Sequence, residues 1–231
     1  MILQDKIAVV YGGAGTIGEA VARAFAAEGA KVHVTGRSRE AAEAVVKDIR
    51  EKGGRAEAGE VDALDEASIE RHLQSVVDQD GRIDVSFNAI GIPDDEIVGK
   101  PLTDISAEQY MRPVLAYTSS YFHTARLAAR HMIPRRSGVI MTVTTLLPHK
   151  DTTLNGGYGP AQAAKEAMTR DLSAELAPQG IRVVSLRPHG VPEAQSVHLK
   201  EMATAAVLLA SDGAGGLTGT TVNLTMDSPD D

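Results

Sequence analysis

The sequence predicts a doubly wound α/β fold, a mostly parallel sheet with helices on both faces, and three observations carry that prediction. Short β-branched runs alternate with longer segments whose apolar residues recur every 3.6 positions. A glycine-rich turn joins the first run to the first helical segment. The chain has 231 residues and is 43% hydrophobic, with no Trp and three Phe, so its core is built from Ala, Val, Leu and Ile, which suits helices packed on a parallel sheet.

The elements follow in order. Ile7–Tyr11 reads as a strand, Thr16–Glu28 as a helix, Val32–Thr35 as a strand, Arg39–Lys52 as a helix, and a short strand reaches Val61. Asp65–Gln79 reads as a helix, Val85–Asn88 as a strand, and Ser106–Met132 as a long helix with Ser106 and Gln109 forming a capping box. Pro113 lies inside that pattern, where its missing N–H and its ring should kink the helix or move its start downstream. Gly138–Val143 is a strand, Tyr158–Ala177 a helix, Ile181–Leu186 a strand, Glu201–Ala210 a helix and Thr220–Leu224 a final strand. Connections this short imply right-handed crossovers. One domain over residues 1–231 is expected, without repeat or linker.

Charge and composition narrow the function. The net charge is −8, and no Lys/Arg block with interleaved aromatics is present, which argues against a nucleic-acid surface and for a small-molecule partner. With no cysteine there is neither a disulfide framework nor a thiolate metal site, and the seven histidines form no metal-ligand spacing, so no metal is expected. No apolar run approaches the roughly 20 residues that span a bilayer, and the chain enters an apolar strand without a basic leader, so a cytoplasmic protein without membrane partners is expected.

The turn Val9-Val10-Tyr11-Gly12-Gly13-Ala14-Gly15-Thr16-Ile17-Gly18 follows the first strand. Its glycines allow a tight bend and bring backbone N–H groups to a pyrophosphate at a helix N-terminus, where the macrodipole favours negative charge. Read alone it is equally an ordinary turn; after the first strand of an alternating chain it points to a dinucleotide. At the end of the second strand, Thr35-Gly36-Arg37-Ser38 offers no carboxylate to a ribose 2′-OH but offers the fork of Arg37 to a 2′-phosphate. That favours NADP(H) over NAD(H), the alternative being a solvated arginine opening a helix.

The stretch from Tyr158-Gly-Pro-Ala-Gln-Ala-Ala-Lys165 to Gly180-Ile-Arg-Val183 resembles the active-site helix and following strand of the short-chain dehydrogenase/reductase family. Gly12, Gly15 and Gly18 resemble the Gly-x-x-Gly-x-x-Gly turn of its extended members. Val61-Asp62 resembles its adenine-contacting Asp, Asn88-Ala89-Ile90-Gly91 its Asn-Ala-x-Gly turn, and Arg187-Pro188-His189-Gly190-Val191 its Pro-Gly turn beside the nicotinamide. The resemblance covers nearly the whole chain. It implies a Rossmann-like domain with a dinucleotide-binding part at about 1–100 and a catalytic part at about 101–231.

It also implies roles. Tyr158 stands at the proton-donor position, Thr145 at that of the serine holding the same oxygen, Tyr117 at that of an asparagine, and Gln162 at that of a lysine which binds the nicotinamide ribose and lowers the tyrosine pKa. Without that charge the Tyr158 hydroxyl should ionise near the ordinary value of about 10, while the Gln162 amide keeps a hydrogen bond for the ribose. Cofactor contacts are expected from Gly12, Gly15, Thr16, Ile17, Gly18, Arg37, Ser38, Val61, Asp62, Asn88, Ala89, Gly91, Gln162, Pro188 and Val191. Lys165, two turns past Tyr158, is expected to be solvated or to face another subunit. His149 and His189 fall near the site without an assigned role. After Val191 the segment before the next helix is short, which implies a short lid over the substrate.

Two functions are therefore expected: an atypical NADP(H)-linked oxidoreductase acting on a carbonyl/alcohol pair with impaired or unusual catalysis, or a catalytically inactive nucleotide-binding sensor or scaffold. The resemblance further implies a homodimer or homotetramer through the two long helices, with Ala161, Ala164 and Ala167 allowing close approach.

Overall fold

The structure, a computed structural model, describes residues 1–93, 96–145, 154–188 and 196–224. Its strands are β1 Ile7–Tyr11, β2 Lys31–Gly36, β3 Arg55–Glu60, β4 Val85–Asn88, β5 Gly138–Val143, β6 Ile181–Pro188 and β7 Thr220–Leu224. Its helices are α1 Thr16–Ala27, α2 Arg39–Glu51, α3 Glu66–Asp80, α4 Ala107–Met132, α5 Tyr158–Leu176 and α6 Ser196–Ala210. The strands form one sheet in the order β3-β2-β1-β4-β5-β6-β7, and every pairing is parallel. This is the doubly wound, Rossmann-like architecture that the alternation predicts.

Successive residues of a strand face opposite sides, and β1 divides the core accordingly. Ala8 and Val10 join the layer packed on α1, α2 and α6, which includes Phe25, Val46 and Ala206. Ile7, Val9 and Tyr11 join the layer that includes Ile69 and Leu73 of α3 and Tyr121 and Ala125 of α4. Both faces of β1 are thus apolar, as a strand covered on both sides requires.

Several boundaries differ from those expected, most by one residue, and three have a plain physical reason. Helix α4 starts at Ala107, because the Ser106 hydroxyl and the Gln109 side chain satisfy each other's backbone N–H groups. Pro113 remains inside it and forfeits only the bond its N–H would have made one turn back. Strand β6 runs on to Pro188, which can end a strand because the last position needs no further N–H donor. Helix α6 begins at Ser196 rather than Glu201, since Ser-Val-His-Leu-Lys contains no Gly or Pro to stop it.

The strand order reverses between β1 and β4, and the crevice above the carboxyl ends of such a pair is where open α/β sheets bind ligands. Tyr11 and Asn88 end these strands in register. The glycine turn and the 88–91 turn consequently meet there.

Candidate active site

The crevice is walled by the segments that the sequence singles out. A cavity of about 350 Å³ is lined by Gly12 and Gly15, by Arg37 and Ser38 beyond β2, by Val61 and Asp62 beyond β3, and by Ala89 and Gly91 beyond β4. Gly12 adopts φ +69°, and a Cβ there would lie 2.5 Å from the Ala89 carbonyl oxygen, so only glycine lets the two turns touch. At Gly18 a Cβ would run into the Gly12 carbonyl, which fixes the first turn of α1 against the loop. Gly15 is the N-cap of α1 and makes no side-chain cap to the first N–H groups, those of Thr16, Ile17 and Gly18, the arrangement in which a helix N-terminus can take an anion. Loop, open helix terminus and cavity together fit a dinucleotide.

Several expected contacts have structural partners of their own. The Ser38 hydroxyl accepts from Ala41 N at 3.2 Å and caps α2. Leu64 N donates to Asp62 Oδ1 at 2.9 Å, shaping the turn that follows β3. Asn88 is buried: its amide donates to Thr124 Oγ1 at 3.0 Å, and its carbonyl accepts from Thr142 Oγ1 at 3.2 Å. Asn88 therefore ties β4 to α4 and β5 rather than lining the cavity. Arg37 is exposed at its rim.

The candidate reacting groups meet on the far side of the switch point. The Thr145 and Tyr158 hydroxyl oxygens stand 3.2 Å apart. The Tyr117 ring, buried at 6% exposure, meets the Tyr158 ring edge to face, with centroids 5.5 Å apart and planes at 82°. Gln162 is 4% exposed, one turn below Tyr158 on α5. Pro188 is buried at the end of β6. Val191, His149 and His189 lie outside the described residues, as does the segment 189–195 expected to form the lid.

Lys165 corrects one expectation. It is not solvated but 2% exposed, because it continues the inward stripe Gln162, Lys165, Thr169, Ser173, which recurs at helical spacing along α5. Its Nζ donates to the Val143 carbonyl at 2.5 Å and sits over the Tyr117 ring, 5.5 Å from the centroid. Burial pulls its pKa down to about 7. The 3.6-residue period was the signal available for it. Ala161 is likewise fully buried within the chain, leaving only the half-buried Ala164 and Ala167 for a neighbour.

A polar tie beneath the site had no motif to announce it. Arg187 Nη1 reaches both Glu166 oxygens at 3.1 and 3.0 Å, and its Nε donates to Asn223 Oδ1 at 2.7 Å. Thr144 Oγ1 donates to Glu166 Oε1 at 3.1 Å. Helix α5 is thereby fastened to the ends of β5, β6 and β7.

A switch-point cavity with an uncapped helix terminus, beside a paired tyrosine and threonine, defines a nucleotide-dependent oxidoreductase fold. The family model for short chain dehydrogenase matches residues 6–202. The chain belongs to the short-chain dehydrogenase/reductase family, whose members are NAD(P)-dependent oxidoreductases. It is 28% identical over 239 residues to 3-oxoacyl-(acyl-carrier-protein) reductase FabG of Chlamydia trachomatis, covering 94% of this chain and 95% of that protein. It is 30% identical over 186 residues to 2,3-dihydro-2,3-dihydroxybenzoate dehydrogenase of Bacillus subtilis, covering 80% and 70%. The solved structure of a short chain dehydrogenase from Mycobacterium smegmatis superposes with a TM-score of 0.88 at 25% identity, covering 98% of this chain and 94% of the other. Among the described residues no helix is long and apolar enough to cross a membrane.

Proposed function

We propose that this protein is an NADP(H)-linked oxidoreductase of a carbonyl/alcohol pair, with slow turnover. The observation that carries the reading is the 3.2 Å approach of the Thr145 and Tyr158 hydroxyls at the end of the switch-point crevice. Two hydroxyls so placed address one oxygen of a substrate: Thr145 orients it, and Tyr158 gives or takes its proton. A bound nicotinamide supplies or accepts the hydride at the adjoining carbon. The pyrophosphate falls to the Gly12–Gly18 turn and the open terminus of α1, the 2′-phosphate to Arg37, and a ribose hydroxyl to the Gln162 amide. Cofactor binding is thus assigned to about 1–100 and catalysis to about 101–231.

Slow turnover follows from the side chains around Tyr158. Gln162 carries no charge to favour the phenolate, and Tyr117 packs a ring where a polar side chain would hold a relay water. Steady hydride transfer with a panel of ketones and alcohols, run beside nucleotide titrations, tests the reading. Turnover that is lost in Tyr158→Phe supports it. Nucleotide binding without turnover on any member of the panel would favour a sensor or scaffold instead.

We assign this chain a small carbonyl or alcohol substrate, a reading that the reductase and dehydrogenase names of its relatives support. We assign it to the cytoplasm as a homodimer or homotetramer. Met111, Leu115 and Phe122 support the assembly, since they leave an apolar stripe on the outer face of α4, with Leu115 57% and Phe122 44% exposed. A monomeric mass at micromolar concentration would reject it.

A further inference from the structure

Three consecutive residues at the end of β5 are each met by a side chain of α5. Lys165 Nζ donates to the Val143 carbonyl, the Thr144 hydroxyl donates to Glu166 Oε1 at 3.1 Å, and the Thr145 hydroxyl oxygen stands 3.2 Å from that of Tyr158. The middle contact belongs to a network. Arg187 Nη1 reaches both Glu166 oxygens at 3.1 and 3.0 Å, and its Nε donates to Asn223 Oδ1 at 2.7 Å, so Glu166 is the group at which the ends of β5, β6 and β7 meet the helix. The Arg187 and Glu166 side chains are 25% and 17% exposed. A pair that far out of water carries a desolvation penalty that an apolar contact would not; what it adds is direction.

That direction falls on the residue beside Thr145. Thr144 is fully buried and its N–H still donates to the Leu186 carbonyl at 2.8 Å, whereas Thr145 lies beyond the strand. Glu166 stands eight residues past Tyr158 on the same helix, about 12 Å along the axis. Anchors that far apart on a rod fix both its rotation and its slide against β5, which a single contact cannot.

We propose that Glu166 is a positioning residue of this site: it accepts the Thr144 hydroxyl while Arg187 holds its carboxylate in place, sets where the chain leaves β5, and so keeps Thr145 against Tyr158. This inference rests on the reading of Tyr158 and Thr145 as the reacting pair. Arg187 and Asn223 act through Glu166, and the effect reaches the two hydroxyls along the backbone of residues 144 and 145.

The test reads the hydroxyl pair without turnover. Protein carrying tyrosine isotope-labelled at the ring carbon that bears oxygen has five such carbons to resolve by magnetic resonance. Tyr158→Phe identifies the Tyr158 signal, and Thr145→Val shows where that signal lies when the pair is broken. A signal that Thr145→Val does not move means that no pair is held, and overturns the proposal outright. Thr144→Val deletes the hydroxyl and leaves the ion pair; Glu166→Met deletes both acceptor oxygens and keeps an unbranched stem. Both should carry the Tyr158 signal to its Thr145→Val position, while Glu166→Gln, whose amide oxygen still accepts from Thr144, should leave it near its original place. An ion pair that only stabilised the fold would lower the melting temperature of Glu166→Met and Glu166→Gln alike and leave the signal unmoved in all three variants. An unmoved signal in folded Thr144→Val or Glu166→Met overturns the proposal, as does Glu166→Gln moving it as far as Glu166→Met. Should Glu166→Met fail to fold with Arg187 left unpaired, Thr144→Val decides alone. Where the unaltered protein transfers hydride, the two displacing variants should lose about a hundredfold in kcat with nucleotide affinity unchanged; an unchanged kcat sinks the inference and leaves the oxidoreductase reading standing. A signal that moves in a protein without turnover supports the inference and counts against that reading.

Discussion

The ring of Tyr117 stands edge to face against the ring of Tyr158, with centroids 5.5 Å apart. The contact holds Tyr158 by packing, and it fills with carbon a volume that a polar side chain would leave to water. Such pairs contribute about 0.5–1.5 kcal/mol beyond their buried area.

Tyr117→Ala removes a buried ring that both Tyr158 and Lys165 rest on. Unfolding free energy should fall by about 3–5 kcal/mol. Leu115→Ala, on the exposed side of the same helix, should stay within about 0.5 kcal/mol. Urea denaturation of the two variants makes the comparison, and equal losses would refute the packing role.

Tyr158→Phe should abolish hydride transfer and leave nucleotide affinity unchanged. Gln162→Lys should raise turnover near neutral pH by about tenfold or more, given the usual contribution of a tuned acid or base. The same change sets a second buried ammonium one turn from Lys165, so its melting temperature should drop. Turnover and thermal melts on one preparation check both halves.

NADPH should bind more tightly than NADH, because the exposed Arg37 fork at the cavity rim faces no competing carboxylate at Gly36. Arg37→Ala should erase a preference worth about 1.5–3 kcal/mol, roughly tenfold to a hundredfold in affinity. Calorimetric titration with each nucleotide reads it directly, and equal dissociation constants in the unaltered protein would end the assignment.

Gly12→Ala should abolish nucleotide binding. The new Cβ meets the Ala89 carbonyl and is forced into a left-handed backbone region, at a cost on the order of 1–3 kcal/mol from the strain alone. Fluorescence titration with NADPH should show no saturable binding in a variant that still gives the helical circular dichroism spectrum.

Acid should weaken the fold first where α3 meets β2, one strand in from the sheet edge. His33 and His72 lie 5.9 Å apart there, and burial holds both below the ordinary histidine value, His72 at about 4. The unfolded chain takes up a proton near pH 6.5 while folded His72 does not. Stability is therefore full above about 6.5 and is lost as the pH falls toward 4, by roughly 3 kcal/mol for His72. Melting temperatures across that window should decline, and His72→Gln should flatten the decline.

The strands and helices were legible because each is announced locally, by β-branched runs, by 3.6-residue periods and by the Ser106/Gln109 capping box. The cavity-lining residues Gly12, Arg37, Asp62 and Ala89 were legible for a different reason: turns at strand ends carry their chemistry in consecutive residues. Lys165 was misplaced because a charged side chain defaults to solvent in a reading by residue type, whereas its position in the stripe with Gln162 and Thr169 turns it inward. The Glu166, Arg187 and Asn223 tie joins three separate segments, and no local pattern encodes a contact between α5, β6 and β7. The same holds for the bond from Asn88 to Thr124, 36 residues away, whereas Ser38 caps α2 through the local bond from Ala41 N.

The pairing of β1 with β4 bears on the order of assembly. Residues 7–11 pair with residues 85–88 across the whole length of chain that forms the β2 and β3 units, a closure whose entropy is lost before any contact repays it. The nucleotide crevice therefore does not exist in a partly folded chain, and a dinucleotide has nothing to recognise until that pairing is made. Added cofactor should leave the refolding rate untouched and act almost wholly by slowing escape from the finished state.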